Sequence, residues 1–273
     1  MSMKKILSQL LVALILVSAL IFTACPRRQG GGAGDPSTLV IGATPVPHGE
    51  LLNLIRDDMT AQGITLRVVE FTDFVQPNMA LLSGDLDANF FQHIPYLETN
   101  PEWAARLVPV FGVHVEPFGL YSARHRSIND LPNGALIAIP NDPSNGGRAL
   151  ILLEANGLIT LREGAGLRAT PRDIVSNPRN LRFRELEAAQ LPRSLPDVDA
   201  ATINGNFALQ AGLNPQRDSL IIEGPDSPYV NVVAVQRGNE NDPRIIALRN
   251  ALQSDRVRDF IIERYDGGVV PAF

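Results

Sequence analysis

Ten consecutive residues, Asp87-Ala-Asn-Phe-Phe-Gln-His-Ile-Pro-Tyr96, gather two phenylalanines, a histidine and a tyrosine in a chain with 16 aromatic residues among 273. Phe71, Phe74, Phe90, Phe91 and Tyr96 fall within 26 positions, where even spacing would place one or two. Rings with a few polar groups among them are how proteins hold small apolar ligands. The same cluster would also serve as an ordinary piece of hydrophobic core.

A second segment, Ile139-Pro-Asn-Asp-Pro-Ser-Asn-Gly-Gly-Arg148, follows a strand pattern and opens a helix. Backbone N–H groups and the positive end of the helix dipole face an anion at such a position. Ser144 or Asn145 can cap the helix, Gly146 and Gly147 permit close approach, and Arg148 can fork onto a carboxylate. The Gly-Lys-Ser/Thr ending of a phosphate loop is missing. A carboxylate is therefore the more economical guest, and the alternative is a capped helix carrying a surface arginine.

The elements that must position these residues alternate between strand and helix. Thr38–Ala43 is a short apolar run, and Leu51, Leu52, Ile55 and Met59 then recur at helical spacing until Gly63. Leu66–Phe71 reads as a strand, Pro77–Leu82 as a helix stopped by Gly84, and Leu86–Phe90 as a strand. A later block repeats the theme with strand Ala135–Ile139, helix Arg148–Ala155 closed by Gly157, and strands Leu181–Leu186 and Ala200–Ile203. Strand Tyr229–Val235 precedes helices Pro243–Gln253 and Arg256–Tyr265. Strands separated by helices imply parallel sheets covered on both faces. The extended, proline-containing stretches Val110–Tyr121 and Ser227–Val235 flank the middle block. If both cross between lobes, the middle block forms one lobe and the two chain ends build the other, with a cleft between them.

The N-terminus sets the address. Lys4 and Lys5 precede an apolar run from Ile6 to Phe22, followed by Thr23-Ala24-Cys25, which describes an export signal over residues 1–24. Cys25, the sole cysteine, has no partner for an intramolecular disulfide, and its place matches the lipobox in which cysteine is acylated. Phe22 stands where leucine is usual, and the alternative is an uncleaved membrane anchor. Residues 25–37 are glycine-rich and polar and read as a flexible tether, with a reach of roughly 20 Å. Loss of the signal leaves 22 basic residues, all arginine, against 29 acidic ones, a net charge of −7. No basic stripe suggests nucleic acid. Four scattered histidines and one acylated cysteine supply no metal cluster, and His48 after Pro47 reads as a helix entry. No nucleophile elbow is present and no nucleophile stands beside a base at interpretable spacing, which argues against an enzyme.

Six segments, in order, carry a resemblance: Gly42-Ala-Thr-Pro-Val-Pro-His48, Glu70-Phe-Thr-Asp-Phe-Val-Gln-Pro-Asn78, Asp87-Ala-Asn-Phe-Phe-Gln-His93, Pro140-Asn-Asp-Pro-Ser-Asn145, Gln190-Leu-Pro-Arg-Ser-Leu195 and Ser227-Pro-Tyr-Val-Asn231. Together they resemble the methionine-binding, NlpA-type substrate-binding lipoproteins of bacterial ABC importers, over essentially all of residues 38–273. The resemblance implies an α/β, type II periplasmic-binding-protein fold, with lobe I from 38–118 and 232–273 and lobe II from 119–231 with the crossovers. It implies an L-methionine ligand held between the lobes, delivery to a permease and its ATPase subunit, a monomer without cofactor or metal, and a lipid-anchored, extracytoplasmic location through Cys25. It places Phe91, His93 and Tyr96, with Phe71 or Phe74, around the thioether, where sulfur–ring contacts are favourable. It gives Arg148 the ligand carboxylate with Asn145 beside it. Asn204, preferred to Asn206, and Asn231 hold the polar backbone of the amino acid. The same likeness leaves room for a methionine-containing dipeptide, D-methionine or methionine sulfoxide, or for a surface interaction lipoprotein that has lost transport.

Overall fold

Apolar β-branched runs become the first strands, β1 (Thr38–Ala43) and β2 (Thr65–Glu70), which lie parallel with Thr38 opposite Thr65. Between them the helical spacing of Leu51, Leu52 and Met59 buries one face of α1 (Glu50–Leu54) and α2 (Arg56–Ala61). The chain continues into α3 (Gln76–Ser83), which ends where Gly84 turns to φ 85°. A glycine is used there because the left-handed region is costly for a residue with a Cβ. β3 (Ala88–His93) then runs parallel to β1. The short helices α4 (Ile94–Leu97) and α5 (Pro101–Arg106) lead to β4 (Leu107–Val115). The computed structural model describes residues 35–224 and 227–273. The expected signal segment 1–24, the acylation site Cys25 and the tether as far as residue 34 lie outside the described residues. No helix among the described residues is long and apolar enough to cross a membrane.

At residues 116–118 the chain leaves this sheet for a second one. Its strands are β5 (Gly119–Tyr121), β6 (Leu136–Pro140), β9 (Arg182–Leu186), β10 (Ala200–Ile203) and β11 (Ile221–Ile222), in spatial order β11-β5-β10-β6-β9. β6 pairs in parallel with β9 and β10, and β5 pairs antiparallel with β10 and β11. A small hairpin of β7 (Thr160–Leu161) and β8 (Ile174–Ser176) stands apart. Helices α6 (Pro143–Ala155), α7 (Leu191–Ser194) and α8 (Gly205–Gln210) belong to this half. The chain rejoins the first sheet as β12 (Val230–Gln236), inserted antiparallel between β3 and β4. Helices α9 (Pro243–Leu252) and α10 (Asp255–Tyr265) and the edge strand β13 (Val270–Pro271) complete the chain. The first sheet is thus ordered β13-β4-β12-β3-β1-β2.

Both sheets are mixed, where the alternation of strands and helices implies parallel ones. The reason is the double crossing: a strand that enters from the other lobe, as β12 does, arrives pointing the opposite way. Each sheet has apolar side chains on both faces. The first rests on a cluster including Leu39, Ile41, Phe90, Val233 and Leu248, and on its other face on Leu81, Phe91, Tyr96 and Trp103. The second has Phe118, Ile137, Leu150 and Leu153 on one side and Tyr121, Ala138, Ile203 and Phe207 on the other. Burial of each large side chain stabilises by roughly 1.5–3 kcal/mol, so each lobe carries its own core.

Candidate functional site

β3 extends three residues beyond the expected strand end and is buried throughout. Phe91 and His93 lie two residues apart and so project to one face, while Phe90 turns to the other and is fully buried in the core. Phe91, Tyr96 and Phe74 make a ring wall, with Phe74 centred 6.0 Å from Phe91 and 5.7 Å from Tyr96. The Tyr96 hydroxyl donates to the Phe74 carbonyl at 2.9 Å, tying the loop after β2 to α4. These three rings and His93 line a cleft holding about 320 Å³ of space free of protein atoms, its mouth included. Phe71 is not among the residues lining it. Its ring lies against Gly42, filling room that a Cβ there would close, with Cε2 2.9 Å from that position.

The opposite wall comes from the second sheet. α6 starts at Pro143, earlier than the expected helix, and its N-cap is Asp142 rather than Ser144 or Asn145. Asp142 accepts from the Asn145 backbone N–H at 2.8 Å. The helix start therefore already holds a carboxylate, and its dipole is not an open anion site. Asn145 lines the cleft, but its amide is largely spent: Nδ2 donates to Asp142, and Oδ1 accepts from Asn204 Nδ2 at 2.8 Å and lies 3.2 Å from His93 Nε2. His93 Nδ1 accepts from the Tyr96 N–H, so Nε2 carries the proton and donates to Asn145. His93 is at once a helix cap and a bridge between lobes. Burial, with Arg148 nearby, pushes its pKa down to about 3.

Arg148 is buried one turn into α6. Its Nε donates to Glu223 Oε1 at 2.8 Å, while Nη2 donates to Glu223 Oε2 and to the Glu116 carbonyl. Its guanidinium lies 4.0 Å from the Tyr229 ring centre and 4.9 Å from that of Phe118. Both crossovers thus grip it, and the free fork expected of Arg148 is half taken. Nη1 has no protein partner among the described residues and is left for the cleft.

Two further cleft atoms are buried without partners, Asn204 Oδ1 and Asn206 Nδ2. Asn231 Oδ1 is 3.0 Å from His48 Nε2, and its Nδ2 has no partner among the described residues. Glu116 also lines the cleft. Burial raises its pKa, while His48 and the Asn206 backbone N–H pull the other way. The open groups divide into donors, Arg148 Nη1, Asn206 Nδ2 and Asn231 Nδ2, and acceptors, Asn204 Oδ1 and Glu116. That set suits a zwitterion, with a carboxylate on the donors and an ammonium on the acceptors.

Glu116, Glu223 and Phe207 were not singled out from sequence, Asn206 stood only as the second choice to Asn204, and His48 was no more than a helix entry. Asn206 sits two residues from Asn204 and both face the cleft, because α8 begins between them. His48 and His114 look scattered in the chain but converge on Glu116, with their ligand-type atoms within 4.8 Å of one another. Only the fold brings these groups together, so spacing carried no signal for them.

A cleft that offers partners to both ends of a zwitterion beside a wall of rings is built to hold a molecule, not to transform it. Hung between two lobes on two crossovers, it defines the type II periplasmic-binding-protein class, substrate-binding proteins rather than enzymes. The chain belongs to the NlpA lipoprotein family, whose model matches residues 39–273. It is 45% identical over 270 residues to the membrane lipoprotein TpN32 of Treponema pallidum, covering 98% of each chain. It is 39% identical to the methionine-binding lipoprotein MetQ of Bacillus subtilis, covering 95% of this chain and 96% of that one. Among solved structures, a nutrient binding protein from Burkholderia cenocepacia bound to methionine superposes with a TM-score of 0.83 at 43% identity, over 86% of this chain and 100% of that one. These likenesses support a substrate-binding role for an ABC transporter.

Proposed function

We propose that this protein captures L-methionine between its lobes and delivers it to a membrane permease driven by an ATPase subunit. The observation that carries this reading is the pairing of unspent donors and acceptors with the ring wall of Phe74, Phe91 and Tyr96. The ligand carboxylate meets Arg148 Nη1, Asn206 and Asn231, its ammonium meets Asn204 and Glu116, and its thioether lies among ring edges, each such contact favourable by about 0.3–1.5 kcal/mol. In this reading Asn145 orders Asn204 and His93 more than it touches ligand, and Phe71 supports the wall from behind. Methionine seen with the Burkholderia relative supports the ligand class. The lobes we assign are 38–118 with 232–273 and 119–231; the partition of strands between two sheets supports this, with β12 joining the first sheet from Val230. We place the protein as a lipid-anchored monomer outside the cytoplasm, tethered through Cys25, on the strength of its membrane-lipoprotein relatives and the signal-like N-terminus.

A groove of about 1030 Å³, mouth included, adjoins the ring wall and shares Phe74 and Tyr96 with it. This groove favours, as a second reading, a longer ligand such as a methionine-containing dipeptide. Mass spectrometry of what the purified protein releases on denaturation separates the two readings. Free methionine and a saturable calorimetric response to it are expected. A released dipeptide redirects the assignment, and no response to millimolar methionine removes it.

A further inference from the structure

Below the cleft, and not lining it, His48 is fully buried with Nδ1 2.8 Å from Thr44 Oγ1 and Nε2 3.0 Å from Asn231 Oδ1. Glu116 Oε1 stands 3.3 Å from that same Nε2 and 2.9 Å from His114 Nε2. The grouping has the composition of a metal site, but its hydrogen-bond inventory speaks against one. Ligation through His114 Nε2 would move that ring's proton to Nδ1, which is buried and has no partner among the described residues. An unpaired buried donor is costly. A proton on His114 Nε2 instead donates to the carboxylate and leaves that ring only a bare lone pair, while a proton on His48 Nε2 donates to Asn231 and stands 3.3 Å from the same carboxylate oxygen.

The Glu116 carboxylate, 3.3 Å from His48 Nε2, favours a proton on that nitrogen, since a ring lone pair beside a carboxylate is repelled. With Nε2 protonated, Nδ1 accepts the Thr44 hydroxyl proton, and the Nε2–H requires an acceptor from Asn231. An asparagine amide has two ends of nearly equal size and opposite hydrogen-bond sense, so something must choose between them. The backbone of Asn231 is already held, in register with His93 on one side and His114 on the other. Amide rotation is its remaining freedom. We propose that His48 is a positioning residue that turns Asn231 Oδ1 inward and Nδ2 toward the ligand, so that the site presents a donor and selects a carboxylate. The choice of ligand group rests on the methionine reading above; the tautomer and the amide orientation do not.

The test combines calorimetry and NMR. In the ligand-free protein, ¹⁵N spectra should show His48 with a protonated Nε2 and a bare Nδ1; a protonated Nδ1 would overturn the proposal whatever the ligand proves to be. L-methionine and L-methioninamide are then titrated into the wild type, His48→Leu and His48→Gln. His48→Leu should weaken methionine binding about tenfold and narrow its preference over methioninamide, because the freed amide can offer Oδ1 to the new NH₂ group. His48→Gln, which restores an N–H donor, should recover most of both. In an Asn231→Ala background His48→Leu should have no further effect on affinity. Equal losses for the two ligands, or a persisting loss without Asn231, would show a merely structural histidine. Should His48→Leu fail to fold, Thr44→Val provides the same readout with a smaller loss. A wild type blind to methionine would sink the ligand assignment while the NMR result still decides the role of His48.

Discussion

Arg148 has five N–H donors, and the fold uses three of them before any ligand arrives, two on Glu223 and one on the Glu116 carbonyl. The guanidinium geometry allows this: one edge is pinned while Nη1 stays open, which a lysine ammonium does not reproduce. Arg148→Lys should therefore weaken methionine binding by more than about 2 kcal/mol in a calorimetric titration; near-normal affinity would remove Arg148 from the carboxylate. Arg148→Ala should do the same and also lower the melting temperature, because Glu223 loses its partner. The histidines make a second prediction. Burial holds His48 near 4 and His93 and His114 near 3, against 6.5 for a free side chain. The unfolded chain thus binds more protons than the folded one below pH 6.5, and stability present above that value is lost as pH falls toward 4. Each histidine contributes up to about 1.4 kcal/mol per pH unit in that window. Glu116, shifted upward by burial, acts in the opposite sense, since the folded state keeps its proton longer, and offsets part of the loss. Denaturant midpoints should fall from pH 7 to pH 4.5; a flat profile would mean that the three rings are not buried neutral.

Helix α6 is where sequence and contact meet most closely. Its second glycine has no room for a side chain: a Cβ on Gly147 would lie 2.2 Å from the Leu167 carbonyl oxygen and 3.1 Å from the Ala169 nitrogen, both backbone atoms that cannot swing aside. Gly147→Ala should cost about 1–3 kcal/mol of stability by overpacking, and it should weaken methionine binding as well, since Asn145 and Arg148 ride on the same turn. A denaturation curve and a titration on one sample check both; a neutral change would show that the turn at residues 166–169 yields easily. Elements of this kind were readable from local chemistry. β1 and β10 have the expected ends, and Gly63, Gly84 and Gly157 all take positive φ where a helix stop was expected. α6 starts earlier than expected, at Pro143 with Asp142 as its cap, since proline at the first turn of a helix loses no hydrogen bond. Glu223 and the His48–Glu116 contact were unreadable for another reason. The pairs Arg148–Glu223 and His48–Asn231 are 75 and 183 residues apart, and their meeting depends on both crossovers. Local pattern has no access to that.

The two lobes touch across the cleft through side-chain contacts that set how the molecule opens. Phe74 of the first lobe lies 4.8 Å, centre to centre, from Phe207 of the second, with ring planes 34° apart. His93 of the first lobe reaches Asn145 of the second. Neither depends on ligand, so the closed arrangement has stabilising contacts of its own, and ligand needs to supply only the remainder of the closing free energy. A ring pair of this geometry contributes about 0.5–1.5 kcal/mol beyond burial. Phe207→Leu keeps apolar bulk in the second lobe while removing that term, and it should shift the ligand-free population toward open forms. In small-angle scattering the ligand-free variant should have a larger radius of gyration than the ligand-free wild type, and saturating methionine should bring the two together. Affinity should fall up to about tenfold, chiefly through faster dissociation, because opening precedes release. Identical scattering from both ligand-free proteins, with unchanged dissociation rates, would show that the ring pair does not hold the lobes, and would leave closure to the ligand and to interlobe hydrogen bonds such as His93–Asn145 and Arg168 to the Glu98 carbonyl.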